Sequence, residues 1–163
     1  IAYKVLKKGD TFTLGDDVKF TVLSPAKPFT KENTQGVSES GLTNNNSIVC
    51  KMTYGQFSMM FTGDAQKEAE DQILKAYKPA DLKSDVLKVG HHGSKTSSSD
   101  AFVKAIAPKA ATISCAAGNQ YKFPHEPTLK TLQKYNVEVY RTDRNGTITI
   151  TTDGSSYSIA KEH

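Results

Sequence analysis

The segment Asp85–Ser99 reads DVLKVGHHGSKTSSS, an apolar run that breaks into two adjacent histidines, a glycine and a cluster of hydroxyls. The chain holds only four histidines, so His91 and His92 concentrate half of its imidazoles at one strand exit. Imidazole is the side chain best suited to metal ligation and to proton transfer near neutral pH. Neighbouring residues on an extended chain point to opposite faces, so one of the two is expected to face a site while the other supports it. A pair of hydrogen-bonded loop histidines is the plainer reading. A second segment, MMFTGDAQKEAE from Met59 to Glu70, has the same design. Its strand ends at Thr62, Gly63 turns the backbone, and Asp64 lands at the strand's carboxyl end just ahead of a helix. That edge is where open α/β sheets bind ligands, and a carboxylate there can face a metal or a substrate. Equally, aspartate is a favoured helix N-cap.

Two further segments lean toward the same edge. Ser94, Lys95 and Ser97 in GSKTSSSD precede a helix start, a combination that could hold a phosphate. It is not a Walker loop, because Ser94 separates Gly93 from Lys95. In NQYKFPHEP, Tyr121 and His125 stand just before another helix.

The elements that must position these groups follow from pattern. Strand-type runs recur as VKFTVLSP, NSIVCKMTYG, QFSMMFTGD, DVLKVGH, AATISCA, VEVYRTD and GTITITTDG, each rich in β-branched or aromatic residues. Helical spacing marks AQKEAEDQILKAY, SDAFVKAIAP and EPTLKTLQKYN. The order, strands first and then strand and helix in alternation, predicts an α/β fold. Asn145-Gly146 predicts a two-residue hairpin turn joining VYRTDR to TITITTDG. Pro25–Asn46 is polar and rich in breakers, and reads as a long surface loop.

With 163 residues, 37% hydrophobic and 23% charged, the chain fits one globular domain. Its 21 basic and 17 acidic residues give a net charge of +4, a modest tilt toward anionic partners that selects no function by itself. Cys50 and Cys115 sit in the apolar runs SIVCKM and TISCAA and read as reduced core residues. No run approaches the ~20 apolar residues of a membrane span, and no signal-like leader is present. The chain opens on Ile1 and runs into strand-like IAYKVLKKGDTF, which suggests a piece of something longer.

Taken in order, TGD, KVGHHGS, RTDRNG and TTDG resemble the second half of a metallo-β-lactamase-fold hydrolase. The pattern is most similar to the hydrolase domain of ComEC-type DNA-uptake competence proteins, over Val18 to Gly154. The resemblance implies that residues 1–163 are the C-terminal part of an αββα sandwich: a mixed sheet, helices on one side and a C-terminal hairpin, with the first half of the domain absent. It implies two divalent metals, Zn²⁺ or Mn²⁺, bridged by Asp64, with His91 or His92 as a further ligand. His91 is favoured as the nearer to the strand end, and His92 as its support. Ser94, Lys95, Ser97, Tyr121 and His125 become candidates for substrate contact. Paired metals clamp the attacking and leaving oxygens of a displacement and lower the pKa of bound water.

Two departures from the family pattern matter. The His-x-His/Asp-x-Asp-His run of the first half is missing. Where relatives often read Tyr-Gly-His-Pro, this chain has Tyr121, Lys122, Phe123 and Pro124, leaving His125 to stand in for the lost histidine. Catalytic zinc takes three protein ligands, so the chain is expected to supply half an active site, to bind metal weakly and to be inactive alone. The implied function is part of a metal-dependent phosphodiesterase or nuclease linked to DNA uptake. The alternatives are a catalytically silent module binding nucleic acid or protein, or another hydrolase on this fold, such as a phosphorylcholine esterase or lactonase. The implied partners are the missing first half and DNA or another phosphodiester, with dimerisation through an exposed sheet face. The implied location is the extracellular or cell-surface side of a membrane-anchored parent.

Overall fold

A computed structural model describes residues 4–163. The strands are β1 (Thr11–Leu14), β2 (Val18–Ser24), β3 (Val49–Tyr54), β4 (Phe57–Phe61), β5 (Val86–Lys88), β6 (Ala110–Ile113) and β7 (Glu138–Arg141), and they form one seven-stranded sheet in sequence order. Pairing is antiparallel from β1 to β4 and parallel from β4 to β7. Parallel neighbours need crossovers. These are supplied by α2 (Lys67–Ala76) with α3 (Pro79–Leu82), by α4 (Asp100–Ile106), and by α5 (Glu126–Lys134). The carboxyl ends of β4, β5 and β6 therefore open on one edge. Asp64, the two histidines and Cys115 follow those ends within a few residues.

Alternation along each strand sorts the side chains onto two faces. Met60, Leu87, Val89, Ala111 and Ile113 face the helices and pack with Ala69 and Ile73 of α2, Phe102, Val103 and Ile106 of α4, and Leu132 of α5. Each fully buried Val, Leu, Ile, Met or Phe side chain among these contributes ~1.5–3 kcal/mol. On the opposite face, Phe57, Met59, Val86 and Ala110 lie under Ile150, Tyr157 and Ile159, which belong to a hairpin of β8 (Ile148–Thr152) and β9 (Tyr157–Lys161). Beyond that hairpin the face stays apolar, with no cover among the described residues. Phe12 stacks on Phe20 at 4.7 Å, Phe20 approaches Phe61 at 6.3 Å, and Phe12 and Leu14 are 41% and 69% exposed.

The structure corrects three expectations. First, β7 does not turn into β8. Thr142–Asn145 winds into a helical turn, α6. The Asn145 side chain accepts the Arg141 amide at 2.9 Å, and the Thr142 hydroxyl accepts the Cys115 amide and donates to the Cys115 carbonyl. Asn-Gly here closes a helical turn, and β7 spends its edge on β6. The hairpin lies one turn later, where Asp153 accepts the Ser155 and Ser156 amides at 2.9 and 2.8 Å and Gly154 takes φ 89°. Second, the expected long loop contains α1 (Glu39–Asn45), capped by the Ser38 hydroxyl, which accepts the Gly41 amide at 3.1 Å. Buried Leu42 anchors it. Third, strand structure starts only at Thr11, and Lys4–Asp10 form none. The rest of that expected strand, residues 1–3, lies outside the described residues.

Candidate active site

Asp64 reaches the edge because other residues do the bracing. The Thr62 hydroxyl donates to the Lys88 carbonyl at 2.7 Å. Gly63 adopts φ 52°, and a Cβ there would come within 2.8 Å of the Ser47 side chain, so the tight approach requires glycine. The Asp64 amide donates to the Ser47 hydroxyl at 3.0 Å. The N-terminus of α2 is satisfied by Asn45, whose side-chain oxygen accepts the Gln66 and Ala69 amides at 2.9 and 3.3 Å. Asp64 is thus not a helix cap, and its carboxylate lines an open cavity of about 700 Å³.

The two histidines are not extended. Gly90–Gly93 is a tight turn in which His91 and His92 take the left-handed φ 47° and 54°. The left-handed region costs a non-glycine residue ~1–2 kcal/mol, and such strain concentrates at functional sites. The His91 amide donates to the Gly63 carbonyl at 3.0 Å, tying this turn to the one that carries Asp64. The alternating-face argument therefore fails here. Both rings line the same cavity, with centroids 6.4 Å apart.

Their hydrogen bonds separate their roles. Nδ1 of His92 lies 2.8 Å from the Ser114 carbonyl, an acceptor only, so the proton sits on Nδ1. Nε2 faces the cavity, 3.5 Å from Asp64 Oδ1. His91 has looser neighbours, Gln66 Nε2 and Thr96 Oγ1, each 3.4 Å from its Nδ1. Burial holds the His91 pKa below its ordinary value against the pull of Asp64, and the His92 and His125 charges lower it further. His125 has both nitrogens committed. Its Nδ1 accepts the Lys95 amide at 3.0 Å, so Nε2–H donates to the Tyr121 carbonyl at 3.1 Å.

Of the remaining expected contacts, Ser94, Tyr121 and His125 line the cavity. Lys95 is exposed and stands outside the lining, and buried Ser97 lies behind the wall with its hydroxyl on the Ala65 carbonyl at 2.8 Å. The expected phosphate cradle at the start of α4 is filled from within the protein. Buried Glu70 accepts the Ser98 and Ser99 amides, and burial pushes its pKa up.

Sequence reasoning passed over Gln66 and Asn119, which also line the cavity, as does Phe123; Cys115 packs against the core as expected and also forms part of the wall. The Cys115 thiol donates to Asp143 at 3.2 Å, and Asp143 is held by Arg141 through contacts of 2.9 and 2.6 Å. Burial, with Asp143 adding to it, raises the thiol pKa, so Cys115 stays protonated and poorly nucleophilic. No sequence signal marks Gln66 or Cys115. Phe123 was visible as the residue replacing a family histidine. Among the described residues, no group of three or more His, Cys, Asp or Glu side chains converges to hold a metal.

No family model matches the chain. It is 39% identical over 148 residues to ComE operon protein 3 of Bacillus subtilis, covering 91% of this chain and 17% of that protein. It is 34% identical over 105 residues to competence protein ComA of Neisseria gonorrhoeae, covering 64% of this chain and 15% of that one. A solved structure of a proposed metal-dependent hydrolase from Parabacteroides distasonis aligns with TM-score 0.49 and 17% identity, over 86% of this chain and 57% of that one. No helix among the described residues is long and apolar enough to cross a membrane. The chain spans about a sixth of the length of the curated relatives it matches, and is a homologue of one segment of these longer competence-related proteins.

Proposed function

We propose that this chain is the C-terminal half of a metallo-β-lactamase-type hydrolase domain that cleaves phosphodiesters, DNA foremost, within a competence protein. One observation carries the reading. At the carboxyl edge of the parallel strands, the Asp64 carboxylate and His92 Nε2 meet at 3.5 Å, while His92 Nδ1 is anchored on a backbone carbonyl at 2.8 Å. An outer hydrogen bond of that kind fixes the tautomer and orientation of metal-ligating histidines. Carboxylate and imidazole suit Zn²⁺ or Mn²⁺, so the donor set fits the implied metals, with Asp64 and His92 holding them from this side. Bound there, divalent metals would lower the pKa of a water nucleophile and offset charge on the phosphate.

This chain's own residues have separate tasks. Asp64 would supply negative charge that two cations can share, and the Ser114 carbonyl orients the His92 ring so that Nε2 faces the cavity. His91, whose pKa burial lowers, lies on the cavity wall beside Gln66 and Thr96. Further donors would come from the missing first half, packed on the sheet face where Phe12 and Leu14 are exposed. A second copy of the chain would dimerise through that face when the first half is absent. The name of the Neisseria relative supports a role in competence; DNA as substrate, and a membrane-anchored parent with this domain on its outer side, belong to the same proposal.

The test is turnover in the intact parent with Zn²⁺ or Mn²⁺. Metal-dependent DNA cleavage that Asp64→Ala and His92→Ala both abolish is the expected result. Retained cleavage in both variants, or no phosphodiester hydrolysis at full metal loading, would overturn the reading. One observation favours a silent nucleic-acid-binding module instead: His125, the residue offered as an extra donor, has both nitrogens on backbone partners. DNA binding without cleavage in the metal-loaded parent would support that alternative.

A further inference from the structure

Five large apolar or aromatic side chains stand exposed among the described residues: Val5, Phe12, Leu14, Ile48 and Tyr121. Of these, only Tyr121 lines the cavity. It is 62% exposed, yet its ring is not loose. One face stacks on Phe123 with centroids 5.5 Å apart and planes within 20°. Phe123 in turn lies 6.2 Å from His92 with planes within 22°. Both spacings are those of offset aromatic stacks. Three nearly parallel rings thus step from solvent to the residue that meets Asp64.

The segment carrying them is fixed from below. Asn119 accepts the Phe123 amide at 2.9 Å and donates to the Phe123 carbonyl at 2.7 Å and the Ala116 carbonyl at 2.9 Å. His125 Nε2–H holds the Tyr121 carbonyl at 3.1 Å. No hydrogen bond or cation contact engages the Tyr121 phenol or ring among the described residues, so its outer face is open. A rigid, bare aromatic face at a cavity mouth gives stacking area with little ordering cost on binding.

We propose that Tyr121 is a stacking platform for one unpaired nucleobase, and that it makes the site prefer single-stranded over duplex nucleic acid. The inference rests on the phosphodiester reading above. A base paired within a duplex has both faces covered by its neighbours, so only an unpaired or terminal base can add a fourth ring to the Tyr121–Phe123–His92 stack. The sugar-phosphate attached to that base then lies at the cavity mouth beside Lys122, whose exposed ammonium has no ion-pair partner among the described residues.

The experiment measures binding of this chain to three fluorescent probes by anisotropy: a short oligothymidylate, an abasic strand of the same length, and a blunt duplex. Tyr121→Ala should weaken oligothymidylate binding by about tenfold, the loss of roughly one base stack. It should leave the abasic strand and the duplex unchanged. Tyr121→Phe should restore the wild-type affinity, because the ring and not the hydroxyl does the work. The position is exposed, so the variants are expected to fold, as thermal melting will register. If Tyr121→Ala leaves oligothymidylate binding intact, or weakens all three probes alike, the platform is overturned while the phosphodiester reading stands. If the wild-type chain binds none of the probes, the nucleic-acid reading of the site fails, and the platform with it.

Discussion

Asp64 and Asp85 sit at opposite ends of the same parallel strands, and the structure treats them in opposite ways. Asp85 precedes β5 and is fully engaged. It accepts the Ser58 amide and hydroxyl at 3.0 and 3.2 Å and the Lys109 ammonium at 3.2 Å. Asp64 follows β4, where Ser47 and Asn45 satisfy the surrounding amides, and among the described residues its carboxylate meets only His92 Nε2, at 3.5 Å. One carboxylate locks the sheet's amino edge. The other is kept free by its neighbours, at an edge with a cavity in front of it. The lesson is that a functional carboxylate is recognised by the bonds that nearby residues spare it from making.

Substitutions sharpen this contrast. The largest effect is expected from Asp64→Ala in the intact parent: hydrolysis falls to background while stability, read by chemical denaturation, moves by no more than ~0.5 kcal/mol, as for a surface change. Asp85→Ala should do the reverse. It strands the Ser58 amide and costs ~2–3 kcal/mol, with metal affinity unchanged. If Asp85→Ala abolished metal binding, or Asp64→Ala unfolded the domain, the two edges would not differ in the way described. Asn45→Ala comes next, with ~1–2 kcal/mol of lost capping at α2 and weaker metal binding from a less fixed Asp64, measurable by calorimetry.

The smallest expected effect is that of pH on His91. Its folded pKa lies below the ordinary 6.5, so the native state resists protonation more than the unfolded chain does. Its stabilising contribution is complete above 6.5 and is lost as pH falls through the lowered value. His91→Gln should therefore flatten the acid side of the stability profile and leave neutral pH nearly unchanged. Equal pH profiles for the two proteins would contradict the burial argument.

Much of the architecture was legible because strand alternation and helical spacing are local properties. The order of strands and helices, α2, α4 and α5, and the presence of a terminal hairpin could all be read from pattern. The misplaced turn shows the limit: Asn145-Gly146 is consistent with either a hairpin or a helical stop, and the choice depends on Thr142 bonding to Cys115, a distant partner. The histidine pair shows the same limit. Spacing implied opposite faces only while the chain was taken as extended, and the turn at Gly90–Gly93 depends on the Gly63 carbonyl receiving the His91 amide. Asp64 and the histidines were visible from residue type and strand exit. Gln66, Cys115 and the stacking of Phe123 were not, because ordinary residues become site residues only when folding brings distant segments to the same edge.

The central claim, that His92 and not His125 presents a free ring nitrogen beside Asp64, is tested most directly by imidazole ¹⁵N NMR of this chain during titration with Zn²⁺. The account predicts a His92 ring in the Nδ1–H tautomer whose Nε2 resonance moves on adding metal, weakly for two protein donors, and which stops moving in Asp64→Ala, while both His125 nitrogens stay in place. Movement of His125 with His92 unchanged, or a His92 response that survives Asp64→Ala, would contradict it.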